Sequence, residues 1–195
     1  DRPTNPLIHY YLAQCYVSEG DAAHAEKHWE AAARQSVDYC FPYREETIDI
    51  LQLAIDRHDH NAKALYLLGN LLYDKRPDDA MDAWEQALQK DDAFAMVWRN
   101  LAFGSFYFRN DVARAIEYLT KAISIDPNQP LWYGELATYY ESSDRDPEEC
   151  LEILAQNIEE VKKDINAPKS LVKLYNLSGA YDSALHLLRN HHFRT

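Results

Sequence analysis

Two histidines of this chain stand four residues apart, a spacing that places both side chains on one face of a helix. His24 and His28 could therefore share a metal ion. A zinc protease helix also needs a glutamate directly after its first histidine, because that carboxylate acts as the general base. Ala25 occupies this position instead. We predict no metal site here and expect two ordinary surface histidines.

The cysteines do not have the spacing of metal ligands either. Cys15, Cys40 and Cys150 lie far apart, and none of them forms a C-x-x-C pair. Neither a disulfide framework nor a zinc site is predicted. We expect Cys150 to pack as a small apolar side chain, and we predict that the chain needs no cofactor.

Paired carboxylates are the remaining groups that could do acid–base chemistry. Asp78 with Asp79, and Glu148 with Glu149, fall where predicted helices begin. Negative charge there is stabilised by the positive end of the helix dipole, so we assign these pairs to helix ends. The 5 glycines form no phosphate-binding loop, and no nucleophile motif is present. We predict that the chain is not an enzyme and has no catalytic residues.

Charge and hydropathy exclude two classes of partner. The formal net charge is −12, whereas nucleic-acid binding draws most of its affinity from clustered lysine and arginine. No run approaches the roughly 20 apolar residues of a membrane span, and the first residues lack a signal-peptide pattern. We therefore expect no nucleic-acid partner, no membrane span and a cytoplasmic location. The chain does not begin with methionine, and we expect it to be a fragment.

The elements that must position any site are helices, and small residues mark them. A small residue is followed seven positions later by another, with a bulky apolar residue between, at a period of about 34 residues. This unit occurs at Ala25, Trp29 and Ala32, at Ala80, Trp84 and Ala87, and at Ala115, Leu119 and Ala122. Between these units, a large apolar residue precedes a small one at Leu12–Ala13, Leu68–Gly69, Leu101–Ala102 and Leu136–Ala137. Such pairs let helix axes approach closely.

At these residues the chain resembles the tetratricopeptide repeat (TPR) family, whose period is about 34 residues. Gly20 and Asp21, Asp126 and Pro127, and Gly179, Ala180 and Tyr181 match its turns. The resemblance implies an all-α fold, a right-handed α-solenoid of about five and a half helix-turn-helix units and about eleven helices. We expect a single domain over 1–195. Its repeats would span about 5–37, 62–92, 94–127, 128–160 and 166–192, with a lone helix at 43–57.

The lone helix is predicted because the repeat has one short interval. Ala25 and Thr47 are only about 22 residues apart, which leaves no room for a first helix in the second unit. The connecting residues 36–42 reach roughly 23 Å when extended, and a helix of about 15 residues is roughly 22 Å long. A parallel crossover with a packed linker is therefore feasible, and an ordinary antiparallel helix is equally favoured. A fully exposed Phe41 would argue against the crossover.

Short strings indicate a narrower resemblance, to the TPR segment of large bacterial proteins of unknown function. These strings are residues 5–12, 38–42 and 69–74. In such proteins a β-rich, carbohydrate-related region precedes the repeats. The resemblance implies that other domains adjoin this segment, and that one of them could be its partner.

The resemblance also implies which residues face the concave groove of the superhelix. The eight that we select as ligand-binding residues are Tyr66, Asn70, Tyr73, Arg99, Asn100, Phe103, Phe106 and Tyr107. Further groove positions are Tyr10, Tyr11, Gln14, Lys63, Asp74, Glu135, Thr138 and Glu141. Aromatic rings would give contact area, while amides and guanidinium would bond a peptide backbone or carboxylate. The alternative is that several aromatics pack between helices; for Phe103 and Phe106 the two interpretations are equally favoured.

The groove is also similar to that of the carboxylate-clamp subfamily, which grips the carboxyl ends of chaperones. Asn70 and Asn100 stand at the asparagine positions of the clamp. Its basic positions hold Tyr66, Leu131 and Glu135 instead, so we predict no binding of chaperone tails, although Arg99 could replace part of the missing charge.

Three functional hypotheses remain. The first is a protein-interaction scaffold that binds a peptide or partner segment in the groove, in trans or from another part of its own chain. The second is a structural spacer or dimerisation arm for a catalytic or carbohydrate-binding domain, which makes a homo-oligomer compatible with the sequence. The third is an aromatic groove that stacks on sugar rings through Tyr66, Tyr73 and Tyr107.

Overall fold

A computed structural model describes residues 5–57 and 61–191 of the chain. Within these residues all regular secondary structure is helical, which confirms the predicted all-α fold. The chain divides into two compact units, Asp1–Ala93 (unit 1) and Phe94–Thr195 (unit 2). Residue 192, the predicted end of the last repeat, lies outside the described residues.

Unit 1 contains five helices in its described part: α1 (Pro6–Ser18), α2 (Ala22–Arg34), α3 (Glu46–Arg57), α4 (Ala62–Leu72) and α5 (Pro77–Lys90). α1 and α2 pack together, as do α4 and α5, and each pair forms one helical hairpin. α3 packs against α1 and α4, the first helices of the two hairpins. Unit 1 is therefore built from two hairpins and one lone helix.

Polar side chains at the helix starts satisfy amide groups that have no partner within the helix. The carboxylate of Asp21 accepts the N–H of His24, and the amide oxygen of Asn61 accepts that of Ala64. Gly20 lies between α1 and α2 with φ at +79°. Glycine adopts this left-handed conformation without the penalty that a Cβ would bring, and the turn predicted at this position is confirmed.

The repeated small residues form the core of unit 1. Ala25 and Ala32 are fully buried beside Trp29, and Ala80 and Ala87 are fully buried beside Trp84. These burials confirm the predicted packing role of the repeated small residues.

The lone helix differs from its predicted bounds at one end. α3 begins at Glu46, whereas the sequence indicated a start at residue 43. Before it lies a turn, in which the N–H of Cys40 donates to the carbonyl oxygen of Val37 at 3.0 Å and Tyr39 has φ at +57°. Val37 and Cys40 are buried, whereas Tyr39 and Phe41 are exposed. The prediction of a packed linker is therefore correct for Val37 and Cys40 and wrong for Phe41, of which 74% is exposed.

Unit 2 contains seven helices in its described part: α6 (Ala95–Tyr107), α7 (Val112–Ile125), α8 (Pro130–Glu141), α9 (Pro147–Gln156), α10 (Ile158–Val161), α11 (Ala167–Leu177) and α12 (Tyr181–Asn190). Hairpins α6–α7, α8–α9 and α11–α12 stack in chain order, because α8 packs against α7 and α11 packs against both α8 and α9. The four-residue α10 was not predicted; it packs against α8 and α9.

Unit 2 follows the same rules at its core and at its helix ends. Ala115, Leu119, Ala122 and Cys150 are fully buried, as their repeat positions predict. The pair Glu148 and Glu149 lies in the first turn of α9, as Asp78 and Asp79 do in α5, which confirms their assignment to helix ends. No helix in the described ranges 5–57 and 61–191 is long and apolar enough to cross a membrane.

Candidate functional site

The residues that the sequence assigned to one groove lie in both units. Tyr66, Asn70 and Tyr73 belong to α4 and its C-terminal end in unit 1, while the other five belong to α6 in unit 2. Tyr66 is only 5% exposed, so it is part of the interior rather than of a contact surface. The sugar-stacking hypothesis therefore loses one of its three rings.

Asn70 has a structural contact in unit 1. Its side-chain oxygen accepts a hydrogen bond from the indole N–H of Trp84 at 3.2 Å. The same indole lies close to Gly69, where an added Cβ would come within 2.3 Å of the indole nitrogen. Asn70 thus helps to hold the tryptophan that joins α4 to α5.

Other predicted groove residues of unit 1 also bond between helices. The hydroxyl of Tyr10 donates to Asn61 at 2.6 Å, and that of Tyr11 contacts the hydroxyl of Thr47 at 2.7 Å. The ammonium of Lys63 donates to the carbonyl oxygens of Ala33 and Gln35, at 2.6 and 2.5 Å. These contacts join α1 and α4 to their neighbours.

In unit 2 an ion pair joins the first helices of two hairpins. The Nε of Arg99 donates to Glu135 at 2.9 Å, and its Nη2 contacts the other oxygen of the same carboxylate. Its Nη1 donates to the side chain of Asn100 at 3.4 Å. The guanidinium is therefore directed towards Glu135 and Asn100. Asn100 itself is only 7% exposed, which places it in the interior.

The aromatic residues of α6 differ in exposure. Phe106 is half-buried, and its ring stacks on that of Tyr139 with centroids 4.4 Å apart. Phe103 is also half-buried and contacts the ring of Tyr107 at 4.6 Å. Tyr107 is 59% exposed. Packing between helices therefore accounts for Phe106, whereas Tyr107 presents most of its surface to solvent.

A cavity of about 140 Å³ lies beside these rings. It is lined by Phe103, Tyr107, Leu131, Gly134, Glu135, Thr138, Tyr139, Asp164 and Asn166. We call it the unit 2 cavity. Four of these residues were expected to face the groove, namely Phe103, Tyr107, Glu135 and Thr138. The structure brings them together with residues of the turn that precedes α11.

Sequence reasoning missed Asp164 and Asn166 because they follow α10, which the repeat pattern does not contain. Asp164 accepts the backbone N–H groups of Asn166 and Ala167 through Oδ1, at 2.8 and 2.7 Å. A Cβ at Gly134 would lie 2.7 Å from the same oxygen, so a larger residue there would require the Asp164 side chain to shift. An Asp-x-Asn string before a predicted helix was the one available signal.

Tyr139 lines the unit 2 cavity and is almost fully buried. Its hydroxyl has no hydrogen-bond partner among the described residues. Burial raises the pKa of this hydroxyl, and the neighbouring charge of Glu135 raises that pKa further. The group therefore stays neutral and keeps both a donor and an acceptor for use inside the protein.

His24 and His28 make contacts within the α1–α2 hairpin. Nδ1 of His24 lies 2.6 Å from the carboxylate of Asp21, and Nδ1 of His28 lies 2.9 Å from Nδ1 of His9. The ring of Tyr16 stacks on both His24 and His28. In the described part of the chain, no group of three or more histidine, cysteine or acidic side chains could hold a metal ion.

The cysteines also fit structural roles. The thiol of Cys40 donates to the side-chain oxygen of Asn5 at 3.1 Å. Cys150 is fully buried, and this burial raises the pKa of its thiol to about 12. A thiol with so high a pKa is a poor nucleophile at neutral pH.

Comparison with solved structures tests the fold. No protein-family model matches the chain. The crystal structure of MamA matches with a TM-score of 0.60 and 20% identity, over 87% of this chain and 90% of that chain. PilF of Pseudomonas aeruginosa matches with a TM-score of 0.57 and 19% identity, over 95% and 74% of the two chains.

A third similar structure consists of TPR-like repeats. These repeats, from a kinesin light chain of Podosopora anserina, match with a TM-score of 0.56 and 17% identity, over 94% of this chain and 92% of that chain. Identities this low establish the fold alone, and the match extends over most of the chain in every case. The chain therefore has the helical-repeat fold of tetratricopeptide proteins.

Proposed function

We propose that this chain is a protein-interaction module that binds a peptide on the first helices of unit 2. The binding surface, here called the unit 2 face, consists of Arg99, Phe103, Tyr107, Glu135 and Thr138. The observation that carries the proposal is an exposed tyrosine, Tyr107, at the edge of a cavity that these first helices line. The helical-repeat fold supports the same class of function, because stacked repeats create extended binding surfaces.

The chemistry of this face suits a peptide. The rings of Phe103 and Tyr107 offer rigid contact area at a low cost in conformational entropy. The hydroxyl of Thr138 already donates to the carbonyl oxygen of Gly134 at 2.9 Å, within its own helix. Its oxygen can still accept a hydrogen bond from a peptide N–H. The partner could be a separate protein or another domain of the same chain.

A selection from a random peptide library, followed by fluorescence anisotropy, tests the proposal. We expect Tyr107→Ala to weaken binding of the selected peptide by about tenfold or more, because interface tyrosines commonly contribute that much. Tyr181→Ala is a matched control, since Tyr181 is 63% exposed on α12 and does not line the cavity. Equal affinities for both variants would exclude the unit 2 face as the binding surface.

A structural role as a dimerisation arm is the second candidate, and α12 is the observation that favours it. Leu185 and Leu188 of this helix are 45% and 50% exposed. Leu188 occupies the repeat position of Leu119 and Leu154, which are both fully buried. An apolar face of this kind is typical of a surface that another element covers.

Sedimentation velocity distinguishes this candidate. If the chain is a dimerisation arm, the wild-type protein should sediment as a dimer and the variant Leu188→Lys as a monomer. A monomer at every concentration of the wild-type protein would remove the dimerisation hypothesis. The peptide-binding proposal does not depend on this result.

A further inference from the structure

We propose that the unit 2 cavity receives the positively charged end of a lysine or arginine side chain from the bound peptide. This inference rests on the proposed function and adds the chemistry of the partner. Sequence reasoning had favoured the opposite polarity, with Arg99 binding a carboxylate or the peptide backbone. The contacts of the described residues reverse that expectation.

The first step is that the charge of Arg99 is already neutralised by Glu135, which lines the cavity. Arg99 makes its two-pronged contact with Glu135, and both side chains are mostly buried, with 23% and 18% of their surfaces exposed. Paired side chains so shielded from water exchange partners only at a substantial cost. Arg99 is therefore poorly placed to receive a second carboxylate.

The second step is that two lysines just before the turn that precedes α11 are paired with carboxylates as well. Lys162 contacts Glu159 at 3.0 Å, and Lys163 contacts Glu160. Asp164 follows them directly, and among the described hydrogen bonds it uses only its Oδ1 oxygen. Its second oxygen keeps the lone pairs of a carboxylate, which bind a cationic N–H group more strongly than a neutral one.

The third step concerns the aromatic wall. Tyr107 is mostly exposed, and Phe103 already carries the guanidinium of Arg99 at 5.5 Å from its ring centroid. Aromatic faces attract cations through their quadrupole, and tyrosine is a better partner than phenylalanine. A carboxylate beside an exposed tyrosine is a combination that selects a cation over an anion or an apolar group.

The fourth step is the size of the cavity. The cavity volume of about 140 Å³ corresponds to roughly four or five water molecules. That volume suits the end of a side chain rather than a whole residue.

The experiment uses the peptide selected on the wild-type chain. Each lysine of the peptide is replaced by norleucine and each arginine by citrulline, which keep the shape and remove the charge. In the protein, Asp164→Asn removes the charge and keeps an oxygen that can accept the same backbone N–H groups. Asp146→Asn is the matched control, because Oδ1 of Asp146 also accepts the backbone N–H group two residues further on and Asp146 does not line the cavity.

We expect that neutralising one particular basic residue of the peptide lowers the affinity of the peptide for the protein by about five- to tenfold. Asp164→Asn should cause a similar loss, and the two changes together should cause little more than either alone. Asp146→Asn should leave the affinity unchanged. Such non-additivity identifies the pair of groups that interact.

The possible failures are distinguishable. The inference would be overturned if the affinity losses of the peptide change and of Asp164→Asn multiply in the combined experiment, or if the selected peptide has no basic residue. In either case a weaker binding of the peptide to Tyr107→Ala would still uphold the proposed function. A peptide that binds Tyr107→Ala as tightly as the wild type would overturn the proposed function and this inference with it. If the library yields no binding peptide at all, both proposals are wrong.

Discussion

At the residue scale, the ion pair between Arg99 and Glu135 determines the charge of the unit 2 face. An arginine in a predicted groove suggests an anionic ligand when only the sequence is considered. The structure directs the guanidinium towards Glu135 and Asn100, which leaves the aromatic rings and Asp164 as the groups beside the cavity. The same residue type therefore has a structural role where a binding role was expected.

We predict that Arg99→Met lowers the free energy of unfolding by about 1–2 kcal/mol, because it leaves the shielded carboxylate of Glu135 without its partner. The double variant Arg99→Met/Glu135→Met should recover most of that loss. Urea denaturation measures both values. Arg114→Met is the control, since Arg114 and Asp111 form a pair that is largely exposed, and its loss should stay within about 0.5 kcal/mol. Equal losses of unfolding free energy for Arg99→Met and Arg114→Met would contradict a special role for the pair of Arg99 and Glu135.

A second prediction at this scale concerns Gly69. Its missing side chain leaves space for the indole of Trp84, which a Cβ would approach to 2.3–2.8 Å. Gly69→Ala should therefore destabilise unit 1 by about 1–3 kcal/mol, despite the higher helix propensity of alanine. Ser18→Ala, on the exposed end of α1, should change stability little. A stabilised Gly69→Ala variant in urea denaturation would show that the indole can move aside without cost.

At the element scale, the α1–α2 hairpin should respond to pH. Burial lowers the pKa of His9 from 6.5, and the charge of His28 lowers it further. In the unfolded chain the imidazole of His9 takes up a proton near pH 6.5, whereas in the folded chain it does so only at lower pH. The contribution to stability is thus complete above pH 6.5 and is lost as the pH falls through the lowered pKa.

We therefore expect the wild-type chain to lose more stability between pH 7.5 and pH 5.5 than the variant His9→Gln does. Thermal denaturation at the two pH values measures the difference. His186→Gln is the control, because His186 is exposed on α12 and contacts Asn190. If His9→Gln shows the same pH dependence as the wild type, this histidine pair does not affect the hairpin.

The lone helix α3 gives a second prediction at this scale. Leu51 is fully buried in it, so Leu51→Ala should cost about 2–4 kcal/mol of unfolding free energy. Phe41→Ala should stay within about 0.5 kcal/mol, because this larger ring is mostly exposed before α3. Urea denaturation provides both numbers. A large loss for Phe41→Ala would restore the packed-linker prediction.

The helices were predictable because small residues at fixed spacing determine how helices approach each other. Ala25, Trp84 and Ala115 are buried where the repeat places them. The start of α3 was not predictable, because residues 43–46 are all exposed and therefore carry no helical pattern of buried positions. α10 was missed because four residues are too few to show a helical period.

The candidate site was less predictable than the fold. The family pattern places residues on the first helices, and it identified Phe103, Tyr107, Glu135 and Thr138 of the unit 2 cavity. The family pattern could not show that Tyr66 and Asn100 are buried, because tyrosine and asparagine occur both at groove positions and at core positions. Asp164 lies in a turn outside the repeat pattern, and only its contact with the α8 region in three dimensions brings it to the cavity.

At the scale of the whole molecule, each of the two units contains helical hairpins in its described part, and the proposed binding surface lies on first helices of unit 2. The fold agrees with solved structures that share less than a quarter of its sequence. This agreement shows the fold alone, and the proposed binding surface is argued from the residues of unit 2. The central claim is that a peptide binds at the unit 2 face.

Backbone amide NMR tests this claim most directly. A ¹⁵N-labelled chain is titrated with the selected peptide, and the shifted amide signals are mapped onto the sequence. We predict that the largest shifts cluster in residues 99–107, 131–139 and 164–167, and that Tyr107→Ala reduces all three groups together. Shifts that instead cluster on the second helices α7 and α9, with these three segments unchanged, would contradict the claim.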